Sequence, residues 1–310
     1  MIKLIKPKFW DKKYNILTFL LLPLSFLWLV LLNIRNIFQK QTSFKAPIIC
    51  VGNIYLGGTG KTPLSIQIAN EFNRIKKPVI VRKYYKNHKD EYDLIFKKAK
   101  YLIYEKKRSF AINKAIGKKF NLIILDDGFQ DLSIKKDLNI LCFNSEQLIG
   151  NGFVLPAGPL RESFSSIRKA EIIVINGQKK KEFEDEIKKI SSKTKIFYTK
   201  YTPQNIYKFK NKNILAFAGI GNPDNFFKML KRNNLNIKKT IVFPDHYEYK
   251  KSDLKKIIDE SRRHDLKVLT TEKDFSKIKN FKIRNIDYVE TKLEIFDKKK
   301  FLNSIKQFIW

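Results

Sequence analysis

The sequence predicts an α/β fold: a P-loop NTPase-like, doubly wound, mostly parallel sheet, a second smaller α/β domain, and an N-terminal hydrophobic membrane helix. Three observations predict it. Short apolar, β-rich runs alternate with helical segments from residue 47 onward. The first run, Pro47-Ile48-Ile49-Cys50-Val51, leads into the glycine-rich turn Leu56-Gly57-Gly58-Thr59-Gly60-Lys61-Thr62. A stretch without any charge, Ile16–Leu32, precedes both.

That stretch reads ILTFLLLPLSFLWLVLL, with Lys3, Lys6, Lys8, Lys12 and Lys13 before it and Arg35, Lys40 and Lys45 after it. As a helix its 17 residues reach about 25 Å, slightly short of a hydrocarbon core of about 30 Å. Pro23, in the middle, is expected to kink or break it. The run is longer than the apolar region of a signal peptide, and no small-x-small cleavage site follows. A buried core helix rarely lacks a polar face, so the segment reads as membrane-associated. Basic residues on both flanks leave the positive-inside rule no asymmetry to act on. They suit a segment dipping into one leaflet at least as well as a spanning one, with Trp10 and Trp28 as interfacial anchors.

The glycine-rich turn is built for phosphate. Glycines let successive backbone N–H groups point inward, Lys61 supplies a point charge to β- and γ-phosphates, and the Thr62 hydroxyl can ligate Mg²⁺. Pro63 suits the first turn of the helix that follows. The strict P-loop pattern places glycine at position 55, where this chain has Tyr55. The nucleotide-binding candidates are therefore Tyr55, Leu56, Gly57, Gly58, Thr59, Gly60, Lys61 and Thr62.

Beyond the turn, Leu64–Ile75 carries apolar residues at helical spacing. Strands are expected at Pro78–Val81, Leu122–Leu125, Asn139–Phe143 and Ile172–Ile175, and a Lys/Glu-rich helix at 179–189. A second αβ series begins at Ile214–Ala218 and continues through Thr240–Phe243, Lys267–Leu269 and a helix near 298–308. The expected segments are 1–45 (membrane-associated), 46–205 (P-loop domain) and 206–310 (C-terminal α/β domain). In a doubly wound sheet, ligands collect beyond the carboxyl ends of the strands.

Composition sets outer bounds. An apolar share of 43% with 25 phenylalanines supplies a real core, which excludes a globally disordered chain. The net charge of +33, spread along the whole length, reads either as compositional drift toward solvated lysines or as attraction to a polyanion: nucleic acid, anionic lipid or a phosphorylated substrate. Cys50 and Cys142 each lie in an apolar run without a ligand-spaced partner, so they read as core residues of a reducing compartment.

Asp126 and Asp127 close an apolar strand, where a carboxylate can hold Mg²⁺ or its waters against the phosphates. Leu155–Glu162 (LPAGPLRE) is a proline-punctuated loop whose functional reading is a clamp, with Arg161 near phosphate oxygens and Glu162 near the metal. His246, in Phe243-Pro244-Asp245-His246-Tyr247, is one of three histidines and reads equally as solvated or catalytic. Thr270–Asp274 reads as a capped helix start with a nucleotide-contact role open to it.

In order along the chain, these blocks resemble the tetraacyldisaccharide 4′-kinase family: the apolar N-terminus, Val51-Gly52-Asn53, Gly57–Pro63, Asp126-Asp127-Gly128-Phe129-Gln130, Leu155–Glu162, Phe243–Tyr247 and Thr270–Asp274. The resemblance implies an ATP- and Mg²⁺-dependent phosphorylation of the 4′-hydroxyl of a lipid A disaccharide precursor. It implies Asp90 as general base (Lys89-Asp90-Glu91 matching the family's Gly-Asp-Glu), assisted by His246. Arg108 matches a substrate-side arginine that, with Lys61, stabilises the transferring phosphoryl group. Thr62, Asp126, Asp127 and Glu162 match the residues around Mg²⁺. It further implies a site between two α/β domains. The implied setting is the cytoplasmic face of the inner membrane, with an acylated disaccharide and the membrane surface as partners, no nucleic acid, and a monomer favoured.

Three departures stand out. Arg82-Lys83-Tyr84 replaces Arg-Gly-Tyr, the segment from there to Asp90 is short with Lys89 in place of glycine, and Asp131 replaces a histidine. A membrane-associated regulatory P-loop ATPase is the alternative. It favours a lysine early in the loop, where this chain has Leu56, and gives no reason for the 155–162 block.

Overall fold

The computed structural model describes residues 7–86, 88–245, 247–281, 283 and 285–310, with the backbone alone of Lys89 and Asp90. Lys3, Lys6 and His246 lie outside the described residues. The chain divides into two compact units, one of 7–84, 98–200 and 293–310, the other of 85–97 and 201–292.

The larger unit holds an eight-stranded sheet. Its strands are β1 (Ile48–Gly52), β2 (Pro78–Lys83), β3 (Leu102–Glu105), β4 (Leu122–Asp126), β5 (Leu138–Asn144), β6 (Ile172–Asn176), β7 (Lys195–Pro203) and β12 (Thr291–Ile295). They lie in the order β12-β7-β6-β5-β1-β4-β2-β3, and every pairing from β7 through to β3 is parallel. Its helices are α1 (Ile16–Ile37), α2 (Lys61–Phe72), α4 (Arg108–Gly117), α5 (Lys181–Ile190) and α9 (Lys298–Ile309). Strands β1, β4 and β6 are buried along their whole length, as expected of parallel strands covered on both faces. This is why they appear in the sequence as apolar runs, broken only at the carboxyl ends of β4 and β6 by Asp126 and Asn176.

The smaller unit is a four-stranded parallel sheet, β11 (Ile286–Val289), β10 (Lys267–Thr271), β8 (Asn213–Ala218) and β9 (Asn236–Val242), in that order. Helices α6 (Pro223–Arg232), α7 (Lys251–Arg263), α8 (Glu272–Ile278) and α3 (Lys89–Lys98) belong to it. One core gathers around Phe226, Phe227 and Leu230, and another around Phe217, Leu254 and Ile257.

The expected segments 1–45, 46–205 and 206–310 run differently at three places. Helix α1 joins the larger unit, because Leu29 packs on its core and Thr18 and Ser25 are buried. Residues 85–97 leave the strands that flank them in sequence: Lys97 Nζ reaches Glu272 at 2.9 Å and Lys273 Nζ lies 3.5 Å from Glu91. The C-terminal helix returns to the larger unit, where Phe301 meets Phe197 edge-on at 5.2 Å and Lys298 pairs with Glu71 at 2.7 Å.

Helix α1 runs unbroken through Pro23 for 22 residues. The break expected at that proline does not occur. Asn15 caps the helix by accepting from the Leu17 N–H at 2.9 Å, and Ser25 secures the turn that follows the proline to the body of the unit.

Candidate active site

Adjacency of β1 and β4 creates the site. Val51 pairs in register with Asp126, so the turn leaving β1 and the acids ending β4 meet at one sheet edge. The turn is shaped by Gly57 at φ +138° and Gly60 at φ +93°, conformations that disfavour any Cβ. Gly60 is the N-cap of α2, whose first backbone N–H groups and positive dipole end favour an anion. Asn53 holds the entry to the turn, donating from Nδ2 to the carbonyls of Tyr55 (2.5 Å) and Gly57 (3.3 Å). The Tyr55 side chain is buried in the core, so only its backbone borders the turn, whereas Leu56 is exposed.

Asp126 is fully buried. Its Oδ2 accepts from Thr62 Oγ1 at 2.8 Å and its Oδ1 from Ser65 Oγ at 3.0 Å, while Arg82 Nη1 lies 3.4 Å from Oδ2. Asp127 takes a left-handed backbone, φ +58°, and its Oδ1 lies 3.0 Å from Arg161 Nη1 and 3.5 Å from Lys61 Nζ. Burial pushes the Asp127 carboxyl up, but the charges of Lys61, Arg161, Arg82 and Arg108 outweigh it and hold it well below the usual carboxylate range.

Arg108 donates to the Asp127 carbonyl at 2.5 Å and to Asp131 Oδ2 at 3.1 Å. Asp131, which stands where the family has a histidine, is thereby neutralised by an arginine. Burial raises its pKa, but hydrogen bonds from Ser133 and the Arg108 charge lower it further. The loop 154–161 closes this side: Leu56 donates to the Pro159 carbonyl at 2.8 Å and Arg161 N–H to the Ile54 carbonyl at 2.7 Å.

The structure therefore brings Lys61, Thr62, Asp126, Asp127, Arg108 and Arg161 together. It does not gather Asp126, Asp127 and Glu162 into a metal cage, since no group of three or more His, Cys, Asp or Glu ligands forms among the described residues. The Glu162 carboxylate lies 3.8 Å from Lys169 Nζ instead. A small cation shared between phosphate oxygens and one or two protein ligands needs no such cage. Thr62 beside Asp126 fits that role. The Thr59 Oγ1, buried and without a hydrogen-bond partner among the described residues, fits an incoming phosphate acceptor.

In the smaller unit, Asp90 falls in the first turn of α3 with its side chain outside the described residues, as is His246. Their chain neighbours meet a common cation. Lys273 Nζ lies 3.5 Å from Glu91 and 3.4 Å from Asp245. The Thr270–Asp274 block is used in capping: Thr271 Oγ1 accepts from the Asp274 N–H at 3.0 Å, and Asp274 Oδ2 accepts from the Gly219 N–H at 2.8 Å. Burial pushes the Cys50 thiol up to about 11, so this cysteine is an inert core residue.

Ser65 and Arg82 are not among the residues the sequence marks as functional candidates. An arginine at the end of an otherwise apolar strand is the available signal for Arg82, and nothing local marks Ser65; Lys273 falls within the Thr270–Asp274 block, but its partners lie far off in sequence.

A family model described as LpxK, tetraacyldisaccharide-1-P 4′-kinase, matches residues 17–309. The chain belongs to this family. Among similar proteins, a tetraacyldisaccharide 4′-kinase of Pelagibacter ubique is 41% identical over 98% of this chain and 98% of its own length. One of Rickettsia bellii is 33% identical over 90% of this chain and 91% of its own. A crystal structure of LpxK from Aquifex aeolicus in complex with ATP superposes with a TM-score of 0.73 at 26% identity, covering 95% of this chain and all of that one. The tetraacyldisaccharide 4′-kinase fold thus extends over both units, α1 included.

Proposed function

We propose that this chain transfers the γ-phosphoryl group of ATP to the 4′-hydroxyl of the tetraacyl disaccharide 1-phosphate precursor of lipid A. The observation that carries the reading is the Thr62–Asp126 hydrogen bond beneath the 57–62 turn, in a chain that matches the kinase family from residue 17 to 309. The turn and the start of α2 bind the nucleotide phosphates through backbone N–H groups, with Lys61 alongside. Thr62 and the Asp126/Asp127 pair would hold Mg²⁺. When bound, the ion neutralises charge on the β- and γ-oxygens.

Asp90, assisted by His246, accepts the proton of the 4′-hydroxyl. Lys61, Arg108 and Arg161 stabilise negative charge on the transferring group. Because the phosphoryl transition state is loose, positioning and electrostatics supply most of the acceleration. Glu162 acts from the edge of this set. Its carboxylate lies 3.8 Å from Lys169 Nζ, and it would join Thr62 and the Asp126/Asp127 pair around the ion.

Placement at the cytoplasmic face of the inner membrane, as a monomer, completes the proposal. Helix α1 is long and apolar enough to cross a bilayer by length and composition, with a mean hydropathy of 2.3 over its most apolar window. A substrate with several acyl chains remains in the bilayer, so an apolar helix on the enzyme brings the site to it.

The test is phosphate transfer from γ-labelled ATP to the disaccharide 1-phosphate in detergent micelles, with Lys61→Ala as control. Labelled lipid that disappears in the variant supports the kinase. ATP hydrolysis without labelled lipid would replace it with the regulatory ATPase.

A further inference from the structure

Helix α1 is apolar almost throughout, yet its seat on the larger unit is polar. Ser25 is 3% exposed. Its Oγ donates to the Val154 carbonyl at 2.9 Å and accepts from the Ala157 N–H at 3.0 Å. One turn on, Trp28 Nε1 donates to the Arg161 carbonyl at 3.3 Å. Toward the helix start, buried Thr18 offers Oγ1 to Asn151 Nδ2 at 3.4 Å, and the same amide donates to the Ala157 carbonyl at 2.9 Å. Toward its end, Arg35 Nη2 donates to the Gln130 carbonyl at 3.2 Å. Positions 18, 25, 28 and 35 fall on one side of a 3.6-residue helix.

The far side of that loop grips the phosphate turn. Leu56 and Ile54 exchange backbone hydrogen bonds with Pro159 and Arg161, Tyr55 forms an antiparallel bridge with Leu160, and Arg161 reaches Asp127. An unbroken series of bonds therefore runs from a helix with an exposed apolar face to the guanidinium beside Asp127. Val154 and Ala157 are buried, so removing the Ser25 hydroxyl leaves a carbonyl and an N–H without that partner and without easy access to water.

We propose that Ser25 is a positioning residue for Arg161: the hydroxyl fixes the 154–161 loop to α1, and the loop aims the guanidinium at the phosphate site. This rests on the reading of Arg161 as a phosphate-facing group. Trp28 supports the same loop through the Arg161 carbonyl. The helix that seats the enzyme on lipid and the arginine that meets the transferring phosphoryl group are then one mechanical piece.

The test uses the full chain with γ-labelled ATP and the disaccharide 1-phosphate in mixed micelles. Ser25→Ala should lower kcat about tenfold while leaving KM for ATP within about twofold, since the turn itself is intact. In an Arg161→Ala background the same substitution should cost nothing further, because it acts through the missing guanidinium. A purely structural role would remain multiplicative.

Trp28→Phe keeps the ring and deletes only the N–H at a residue that is 40% exposed, so it serves if Ser25→Ala fails to fold. Its expected loss is about threefold, again absent without Arg161. Wild-type kcat in both variants, or a full multiplicative loss on top of Arg161→Ala, overturns the proposal while the Arg161 reading stands. Wild-type kcat in Arg161→Ala alone overturns that reading and the proposal with it.

Discussion

Thr62 Oγ1 donates a 2.8 Å hydrogen bond to Asp126 Oδ2, and both side chains are buried beneath the phosphate turn. The bond orients the threonine oxygen lone pairs away from the carboxylate and toward the turn. It also occupies one lobe of Asp126, whose remaining acceptors take Ser65 and face Arg82. Asp126 is thus satisfied by the protein itself. These contacts fix the carboxylate beside Thr62, the place from which the two would hold Mg²⁺ together.

Asp126→Asn should therefore act on stability and catalysis together. The amide has the right size but leaves Arg82, itself 4% exposed, facing no charge from that position. Breaking a buried pair in this way costs about 3–5 kcal/mol, to be read as a fall in the urea midpoint. A loss of about 100-fold or more in kcat is expected from the disturbed electrostatics. Full stability in the variant would show that Arg82 does not depend on Asp126.

Acid should weaken the fold through Asp127 and Asp131. Both carboxyls titrate below their ordinary range in the folded chain. A lowered folded pKa gives stability that is complete above the unfolded value of about 3.9 and drains as pH falls through the folded one. Urea midpoints should show these two groups' contribution in full and unchanging between pH 5 and 7, with a progressive fall below about pH 4. Asp131→Asn should flatten the fall, since its carboxylate no longer has a proton to take up. An unchanged acid slope in that variant would mean the Arg108 pair adds nothing.

Much of this site could be read from the sequence because its parts are local. The phosphate turn, the paired acids at the end of β4 and the proline-rich loop are each contiguous, and buried parallel strands such as β1 and β4 are apolar up to their carboxyl ends. What was missed is either diluted or distant. Strand β7 is hard to read because lysines, threonines and tyrosines interrupt its apolar residues and it is only partly buried, and β3, β11 and β12 are short and only partly buried. Helix α3 sits between β2 and β3 in sequence, yet its buried Tyr92 and Ile95 and its ion pairs belong to the other unit. No local pattern announces such an excursion. Ser25 looked like one polar atom in an apolar run, and only the fold supplies the two backbone groups it serves.

Lys273 ties that excursion down. Its ammonium lies between Glu91 of α3 and Asp245, next in sequence to Asp90 and His246. Lys273→Met should cost about 1 kcal/mol of stability, the scale of a partly exposed pair. The larger expectation is kinetic: a drop of about tenfold in kcat with KM for ATP little changed, if Asp90 and His246 form the proton-accepting pair. Lys273→Arg keeps the charge and should recover most of the rate. Equal rates in wild type and Lys273→Met would remove the lysine from any part in holding that pair.

The exposed side of α1 should decide where the enzyme sits. Phe26 and Leu20 are 70% and 68% exposed on a helix whose opposite side is bonded to the 151–161 loop. Burying a phenylalanine in lipid contributes about 2 kcal/mol. Phe26→Glu should therefore weaken binding to anionic phospholipid vesicles about 30-fold or more, measured by co-sedimentation, while Lys61-dependent turnover on a detergent-dispersed substrate changes little. The flanking Lys8, Lys12, Lys13, Lys40 and Lys45 add attraction of about 1 kcal/mol each near an anionic surface, and salt screens it. Binding of the wild-type chain should fall in 1 M NaCl without vanishing, because the apolar part is indifferent to salt. If Phe26→Glu bound as tightly as wild type, the lysines alone would be holding the membrane, and α1 would need another explanation for its apolar face.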